Sequence, residues 1–568
     1  MKNLTYFLQF QKKSKIIFII FLLFLGTLLD LFGLSMIIPL INAVADYDKI
    51  NNLIINYSIL SSLSNLDQNQ LIILLLIIFL TINVFKGLVF VYLNLKTNEF
   101  SKNININISS KLINYYSSIN YEDMISKSSG TLIRNITEEV MGVSSAISNF
   151  LSLIVEVSVV VFIFGFILFV EPNGLLIITF FLLFGLFMFK KIINKRLISW
   201  GRNRQKYFLK KISTINELFH SYPELKLLNK INYFGSLYNS FNKVFFNNVI
   251  KYNVAQIVPR FLIESLAVLG MMFALIYLII IKDDQSQILY TLAILGASAL
   301  RLLPTIGRIV NYYNSFKFSN ASINLIKSEL QNQLYYEKKD IKGSNSLKFQ
   351  NKIALKSISY SYPNKKIEVL NNISLEIKKN EVVGIRGVTG SGKSTLLKII
   401  LGLLKPQEGN LMIDEVDVHK NNLIDFWYEK VAYVPQSIYL LNDSIKKNIL
   451  IGLEESEEIK EYYKESLDVS LCNEFVEKMR DNDQTIVGEN GLKLSGGQKQ
   501  RLGIARALYQ KKEVLILDEA TNSLDEFTEK KILEKILKLK NKQTIIFVSH
   551  KSANFNICDK IIDISNLN

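Results

Sequence analysis

The first half of the chain alternates long apolar runs with polar connections. Runs of mostly apolar residues lie at Ile16–Leu40, Leu71–Leu95, Leu151–Val170, Leu175–Ile193, Val254–Ile281 and Ile288–Val310, the last the weakest. A membrane-spanning helix needs about 20 such residues. One run alone reads equally well as a buried core helix, but six in succession predict six spans. The first is too long for a cleavable signal and reads as a retained helix. Between the first two runs, Leu53, Tyr57, Leu60 and Ser64 follow helical spacing, with Ile54 and Leu63 widening the stripe. That spacing predicts a short amphipathic helix on the outer membrane surface, with an ordinary structured loop as the alternative. Tight connections, Glu171–Gly174 and Lys282–Gln285, alternate with long polar ones after the second and fourth runs. Spans that continue into long polar segments and turn back sharply would make two stiff levers, around Tyr116–Thr131 and Leu218–Lys230.

Beyond a charged stretch at Gln331–Leu347 the pattern changes to short apolar strands alternating with helices. The expected architecture is an N-terminal all-α polytopic membrane domain of six helices (1–325), a linker (326–350) and a C-terminal α/β P-loop domain (351–568).

Composition adds orientation. The 568 residues carry a formal charge of +16, and 49% are hydrophobic, a high share for a water-soluble protein. The segment Lys190–Lys251 is densely basic, its only acids being Glu217 and Glu224, whereas Asp46–Gln70 is mildly acidic. An excess of Lys and Arg marks the cytoplasmic side, which puts the long loops and both termini there. The charge is thus a topology signal, and nucleic acid is not an expected partner. Cys472 and Cys558, and His220, His419 and His550, are scattered, in no zinc-like spacing and with nothing to suggest a disulfide.

The strand Glu381–Arg386 runs into Gly387-Val388-Thr389-Gly390-Ser391-Gly392-Lys393-Ser394. This is the strand, glycine loop and helix that a phosphate-binding loop requires. The glycines let backbone N–H groups close around phosphates at a helix N-terminus. Lys393 would reach the β- and γ-phosphates of ATP and Ser394 would hold Mg²⁺. Further on, Val514–Leu517 reads as a buried strand ending in Asp518 and Glu519, the first suited to the Mg²⁺ shell, the second to orienting or deprotonating water. A third glycine-containing segment, Leu494-Ser495-Gly496-Gly497-Gln498, opens a helix and offers another anion-binding surface.

With that segment the chain resembles the ABC transporter ATPases over Leu355–His550, and ABC exporters over nearly its whole length. The resemblance implies that Ser495, Gly496, Gly497 and Gln498 cap the γ-phosphate of ATP held by a second copy, so that the working form is a homodimer with two shared sites. It implies that Tyr362 stacks on adenine and that Thr395 joins the phosphate loop. Gln436 would touch Mg²⁺ and the levers, Thr485–Glu489 would sense the levers, Asp525 would cross the dimer interface, and His550 would contact the γ-phosphate. The interface loop reads Asn522-Ser523-Leu524-Asp525, a departure from the commoner Ser-Ala-Leu-Asp. ATP and Mg²⁺ are the implied cofactors and the bacterial inner membrane the implied location.

Charges in spans are costly and mark function, pairing or snorkelling. Lys86, Arg260, Arg301 and Arg308 fall in the inner half of the bilayer or at its inner edge, and Arg301 and Arg308, seven residues apart, share a helix face. A basic ring there would suit an anionic headgroup, diphosphate above all. Against that, Arg260 and Glu264 are spaced to pair along one helix, and Arg308 is placed to snorkel. The segments Val258-Pro259-Arg260 with Glu264, and Leu300–Pro304 with Gly307-Arg308-Ile309, resemble those of bacterial lipid-linked oligosaccharide flippases. This implies a polyprenyl-diphosphate substrate held by Lys86, Arg260 and Arg301, its lipid met by the Leu53–Ser64 helix. Export of another lipid, lipid A-like, or of a peptide is the alternative; a non-transporting ABC regulator is the alternative of another class.

Overall fold

A computed structural model describes residues 6–7, 9–10, 12–36, 39–40, 43–44, 66–170, 172–281, 285–339, 348–362, 368–453, 456–549 and 551–566. The expected helix at Leu53–Ser64 lies outside the described residues. The chain divides into two compact units, one of residues 1–119 and 126–336, the other of residues 120–125 and 337–568.

The first unit is helical. Its long helices are α1 (Lys13–Ser35) and α2 (Gln68–Ser118), followed, after α3 (Tyr121–Ser126), which belongs to the second unit through residue 125, and the short α4 (Ser129–Arg134), by α5 (Val140–Val170), α6 (Pro172–His220), α7 (Ile231–Ile281), α8 (Gln285–Phe318) and α9 (Asn320–Lys339). Among the described residues, Gln68–Ser118, Ser129–Gly165 and Ile231–Tyr277 are long and apolar enough to cross a membrane. The apolar stretch of α2 turns outward: its Ile73, Leu76, Ile77, Leu80, Val84 and Leu88 are all exposed. Such a surface suits lipid and is too large for water.

The helices run far past the apolar stretches. α2 spans 51 residues and α7 another 51, roughly 75 Å each at 1.5 Å per residue. Beyond the apolar half of α2, Phe100, Ile104, Ile108, Leu112 and Tyr116 recur at every fourth position and are buried. They pack with Val140, Val143, Ile147, Ile323 and Ile326, so the polar portions form a bundle with its own core. Pro259 and Pro304 lie inside α7 and α8 without ending either helix. Where a linker was expected from 326, α9 continues to Lys339.

The second unit holds two sheets. An antiparallel sheet takes the order β2 (Leu370–Lys378), β1 (Lys352–Tyr360), β4 (Glu408–Ile413), β5 (Val416–Asp417). The other sheet is parallel, in the order β6 (Val431–Val434), β7 (Val514–Asp518), β8 (Thr544–Val548), β3 (Val382–Arg386), β9 (Lys560–Asp563). β7 and β8 are buried at every residue, as strands covered on both faces must be. Helices α10 (Lys393–Ile400), α11 (Glu457–Val469), α12 (Gly496–Leu508) and α13 (Glu526–Leu537) accompany them. Because β3, β6, β7 and β8 are parallel, their carboxyl ends come out on one edge, where open α/β sheets bind ligands.

Candidate nucleotide site

That edge gathers the segments singled out from sequence. β3 ends at Arg386 and enters the glycine loop, whose Gly390 and Gly392 have φ of +87° and +93°. At Gly392 a β-carbon would lie 2.9 Å from the Val369 carbonyl oxygen and 2.7 Å from Leu370. Position and conformation therefore both require glycine there. Gly392 caps α10, so the N-terminal N–H groups of that helix face the loop. Lys393 is buried, and its ammonium donates to the carbonyl oxygens of Gly387 at 2.7 Å and Val388 at 2.9 Å. The loop thus curls around its own lysine, whose ammonium its carbonyl oxygens hold. Ser394 and Thr395 follow in the first turn of α10. Thr395 is buried, with its hydroxyl 3.3 Å from the Tyr362 hydroxyl.

Tyr362 meets Tyr360 edge to face, ring centroids 5.2 Å apart. The Tyr360 hydroxyl in turn donates to Glu122 at 2.7 Å, and the Lys398 ammonium lies over the Tyr121 ring. Both Tyr121 and Glu122 belong to the 120–125 segment counted in this unit. The aromatic residue expected at adenine is therefore connected, through one ring and one hydrogen bond, to Glu122 of that segment.

The two acids at the end of β7 differ. Asp518 is buried and accepts from the Tyr433 hydroxyl at 3.1 Å. Burial is the largest influence on it and, with Glu519 adjacent, outweighs the Tyr433 bond to hold its carboxyl above the usual range. A carboxylate raised in this way gains from a nearby cation. The oxygen donors Ser394, Asp518 and Gln436 are the hard ligands Mg²⁺ prefers, so the residues fit that ion. Glu519 stands at φ +51°, a conformation rare for a side-chain-bearing residue. Its carboxylate accepts from Gln436 and from Asn522, both at 2.8 Å. Asn522 belongs to the departure from the commoner interface-loop pattern, and here it orients the expected catalytic carboxylate. His550 lies outside the described residues, directly after Ser549 at the end of β8.

Ser495 caps α12 reciprocally: its hydroxyl accepts from the Gln498 N–H at 3.2 Å, and the Gln498 side chain accepts from the Ser495 N–H at 2.9 Å. A β-carbon on Gly497 would approach the Ser523 carbonyl oxygen to 3.2 Å, and Gln500 accepts from the Ser523 N–H at 2.8 Å. The 494–498 segment and the 522–525 loop therefore form one body. Asp525 ends that loop by capping α13, its carboxylate accepting from the Thr528 N–H at 2.9 Å. Nearby, Thr485 and Val487 bond to Ile445 and Asp443 through the backbone, leaving Ile486 exposed.

Glu529 escaped the sequence reading. Only 3% exposed, it accepts from Thr521 at 2.7 Å, Asn554 at 2.8 Å and the Lys551 ammonium. It ties the segment after Glu519 to the segment after His550.

In the helical unit, Arg260 donates to Glu264 at 2.7 Å, the pairing its spacing allowed. Arg308 makes a two-pronged contact with Glu156, at 2.5 and 3.1 Å, and a third bond to Thr305. A β-carbon on Gly307 would lie 3.9 Å from the Arg260 stem, so α7 and α8 run close together beside these two pairs. Two of the three arginines expected at a substrate, Arg260 and Arg308, are thus paired with carboxylates. The side chain of Arg301 lies outside the described ones, and Lys86 lies on α2.

Residues 370–522 match the family described as ABC transporter. Over 97% of the chain the fold superposes, with a TM-score of 0.79 and 18% identity, on 93% of a bacterial Atm1-family ABC exporter with ATP bound. The chain has the fold of an ABC exporter, with a helical membrane unit fused to an ABC transporter ATPase domain. ATP hydrolysis by that domain accompanies transport. A putative export ATP-binding/permease protein of Rickettsia bellii is 29% identical across 98% of this chain and 92% of its own length. The multidrug resistance-like ATP-binding protein MdlA of Buchnera aphidicola is 37% identical over 45% of this chain and 43% of itself.

Proposed function

We propose that two copies of this exporter chain bind two ATP molecules between them and move an amphiphile with an anionic headgroup across the bacterial inner membrane, termini in the cytoplasm. The observation that carries the ATPase half is Glu519, held by Gln436 and Asn522 at the end of β7. Lys393, with Gly387, Val388, Thr389, Gly390, Ser391 and Gly392, would hold the phosphates and Tyr362 the adenine. Ser394, Gln436 and Asp518 would hold Mg²⁺, which supplies charge neutralisation on the phosphates when bound. Glu519 would orient the attacking water, with His550 beside the γ-phosphate. Ser495–Gln498 and Asp525 of the second copy would complete each site.

The substrate we propose is a polyprenyl-diphosphate-linked oligosaccharide. The support is the position of Lys86, Arg260, Arg301 and Arg308 in the inner half of the spans. The ion pairs at Arg260 and Arg308 set a condition on that reading: a diphosphate must displace Glu264 or Glu156, or bind to Lys86 and Arg301 alone. Those pairs also favour the second reading, a zwitterionic lipid or a peptide, which would engage paired charges without separating them. The deciding experiment follows the headgroup of a fluorescent polyprenyl-diphosphate oligosaccharide in proteoliposomes, with Glu519→Gln and Arg301→Ala for comparison. ATP-driven movement in the wild type, lost in both variants, is the expected result. A wild type that hydrolyses ATP without moving this lipid refutes the oligosaccharide substrate and leaves ATP-driven export standing.

A further inference from the structure

Away from the nucleotide, a buried charge cluster sits at the foot of α5. Glu139 has no exposed surface, and neither of its carboxylate oxygens has a hydrogen-bond partner. Two guanidinium groups stop just short of it, Arg134 at 3.7 Å and Arg204 of α6 at 3.6 Å. Each is bonded elsewhere: Arg134 to the Asn135 side chain at 2.9 Å, and Arg204 to Ser322 of α9 at 3.2 Å, with its plane over Phe318. Asn135 in turn donates to the Tyr116 hydroxyl at the end of α2. A buried carboxylate standing between two cations and hydrogen-bonded to neither is costly in a fixed structure.

The backbone explains how it arises. Asn135–Glu139 is a π-helical turn between α4 and α5, a form that concentrates at functional positions. Arg134 and Glu139 are five residues apart. On an α-helix, at 3.6 residues per turn, that separation puts two side chains about 140° apart. The wider turn brings them together. Returned to α-helical geometry, it would rotate Glu139 away from Arg134 and leave Arg204 as its cation.

We propose that Glu139 is a positioning residue for the transport cycle, passing between Arg134 and Arg204 as the 135–139 turn changes between π and α geometry, so that α5 is alternately released from and locked to α6. Both helices run from this cluster into the apolar part of the unit, so a change of register here alters the crossing of the spans. Two discrete arrangements of one packed element are what a transporter needs. The inference rests on the ATP-driven reading above but on none of its substrate detail.

The test is hydrogen–deuterium exchange on the purified full chain in detergent, with and without ATP plus orthovanadate. In the wild type, exchange in 135–142 and 202–206 is expected to change on trapping. In Glu139→Gln, which keeps the shape and removes the charge, that difference falls at least fivefold, while the peptide covering 384–396 responds as in the wild type. Arg134→Gln leaves the carboxylate to Arg204 and is expected to fix both segments in one pattern under both conditions. A purely structural role would raise exchange in both states and preserve their difference. A wild type that hydrolyses ATP yet changes at neither segment overturns the proposal, as do variants that respond as the wild type does. Absence of hydrolysis in the wild type refutes the ATP-driven reading instead.

Discussion

Removing the Glu529 charge is expected to loosen the ATPase domain and to slow hydrolysis, although Glu529 touches no nucleotide. Its carboxylate takes three donors, and Thr521 and Glu529 are both buried. In Glu529→Gln the remaining carbonyl oxygen keeps Thr521 and Asn554, but the new amide meets the Lys551 ammonium donor to donor. One charge-assisted bond of roughly 1.5–3 kcal/mol is lost. Lys551 is 43% exposed and can turn to water, so the net cost is about 1–2 kcal/mol. Glu529→Ala strands Thr521 and Asn554 as well, for about 3–5 kcal/mol. At about 2–4 °C per kcal/mol for a domain of this size, the ATPase-domain transition should fall in the order wild type, Gln, Ala. Thermal unfolding of the full chain, followed through Trp427 in the core of this domain, reads that order. The pH dependence has a definite sign. Burial raises the Glu529 carboxyl, but the bonds from Lys551, Thr521 and Asn554 together outweigh it and hold it below the ordinary 4.5. A depressed carboxyl stabilises the fold above its unfolded value, and the gain disappears as pH falls through the folded one. The gap between wild type and Glu529→Gln should therefore be full at neutral pH and close below pH 4.5. An Ala variant that melts within a degree of the wild type, or a gap that widens in acid, would refute the reasoning.

Other substitutions probe other parts. Glu519→Gln should cut ATP turnover by at least a hundredfold with ATP binding retained; a turnover within tenfold of the wild type would remove Glu519 from the reaction. Gly392→Ala meets Val369 and Leu370 in a left-handed conformation, so ATP binding by filtration should be lost; unchanged affinity contradicts that close approach. In the membrane domain, Glu156→Gln or Arg308→Gln alone strands a partly buried charge, and each should lower the melting temperature more than the double variant does. Burial pushes the Cys472 thiol up to about 12 and the half-buried Cys558 thiol up to about 11. Iodoacetamide on the native chain should label Cys558 first, and mass spectrometry finding Cys472 ahead would contradict the packing.

What could be read in the sequence, and what could not, divides on distance along the chain. The phosphate loop is local: its glycines, its lysine and the flanking strand lie within one short stretch, and the positive φ of Gly390 and Gly392 is what that spacing encodes. Arg260 and Glu264, four residues apart, could be paired on paper for the same reason. Arg308 could not, because Glu156 lies 152 positions away and only the packing of α5 against α8 brings it near. Glu529 was missed likewise, since Asn554 and Lys551 reach it from another strand end. Hydropathy found the apolar stretches of α2, α5 and α7 and stopped where those runs stop. The continuation of α2 carries its signal in the fourfold spacing of Phe100, Ile104, Ile108, Leu112 and Tyr116, diluted by Lys and Asn on the other faces. α9 hid in the same way: its polar composition reads as a linker, yet Ile323, Ile326 and Leu330 are buried in the bundle. The Glu139 cluster combines both obstacles. Its partners are distant in sequence, and the π turn that aligns Arg134 with Glu139 has no compositional mark, because a five-residue separation on an ordinary helix argues against contact.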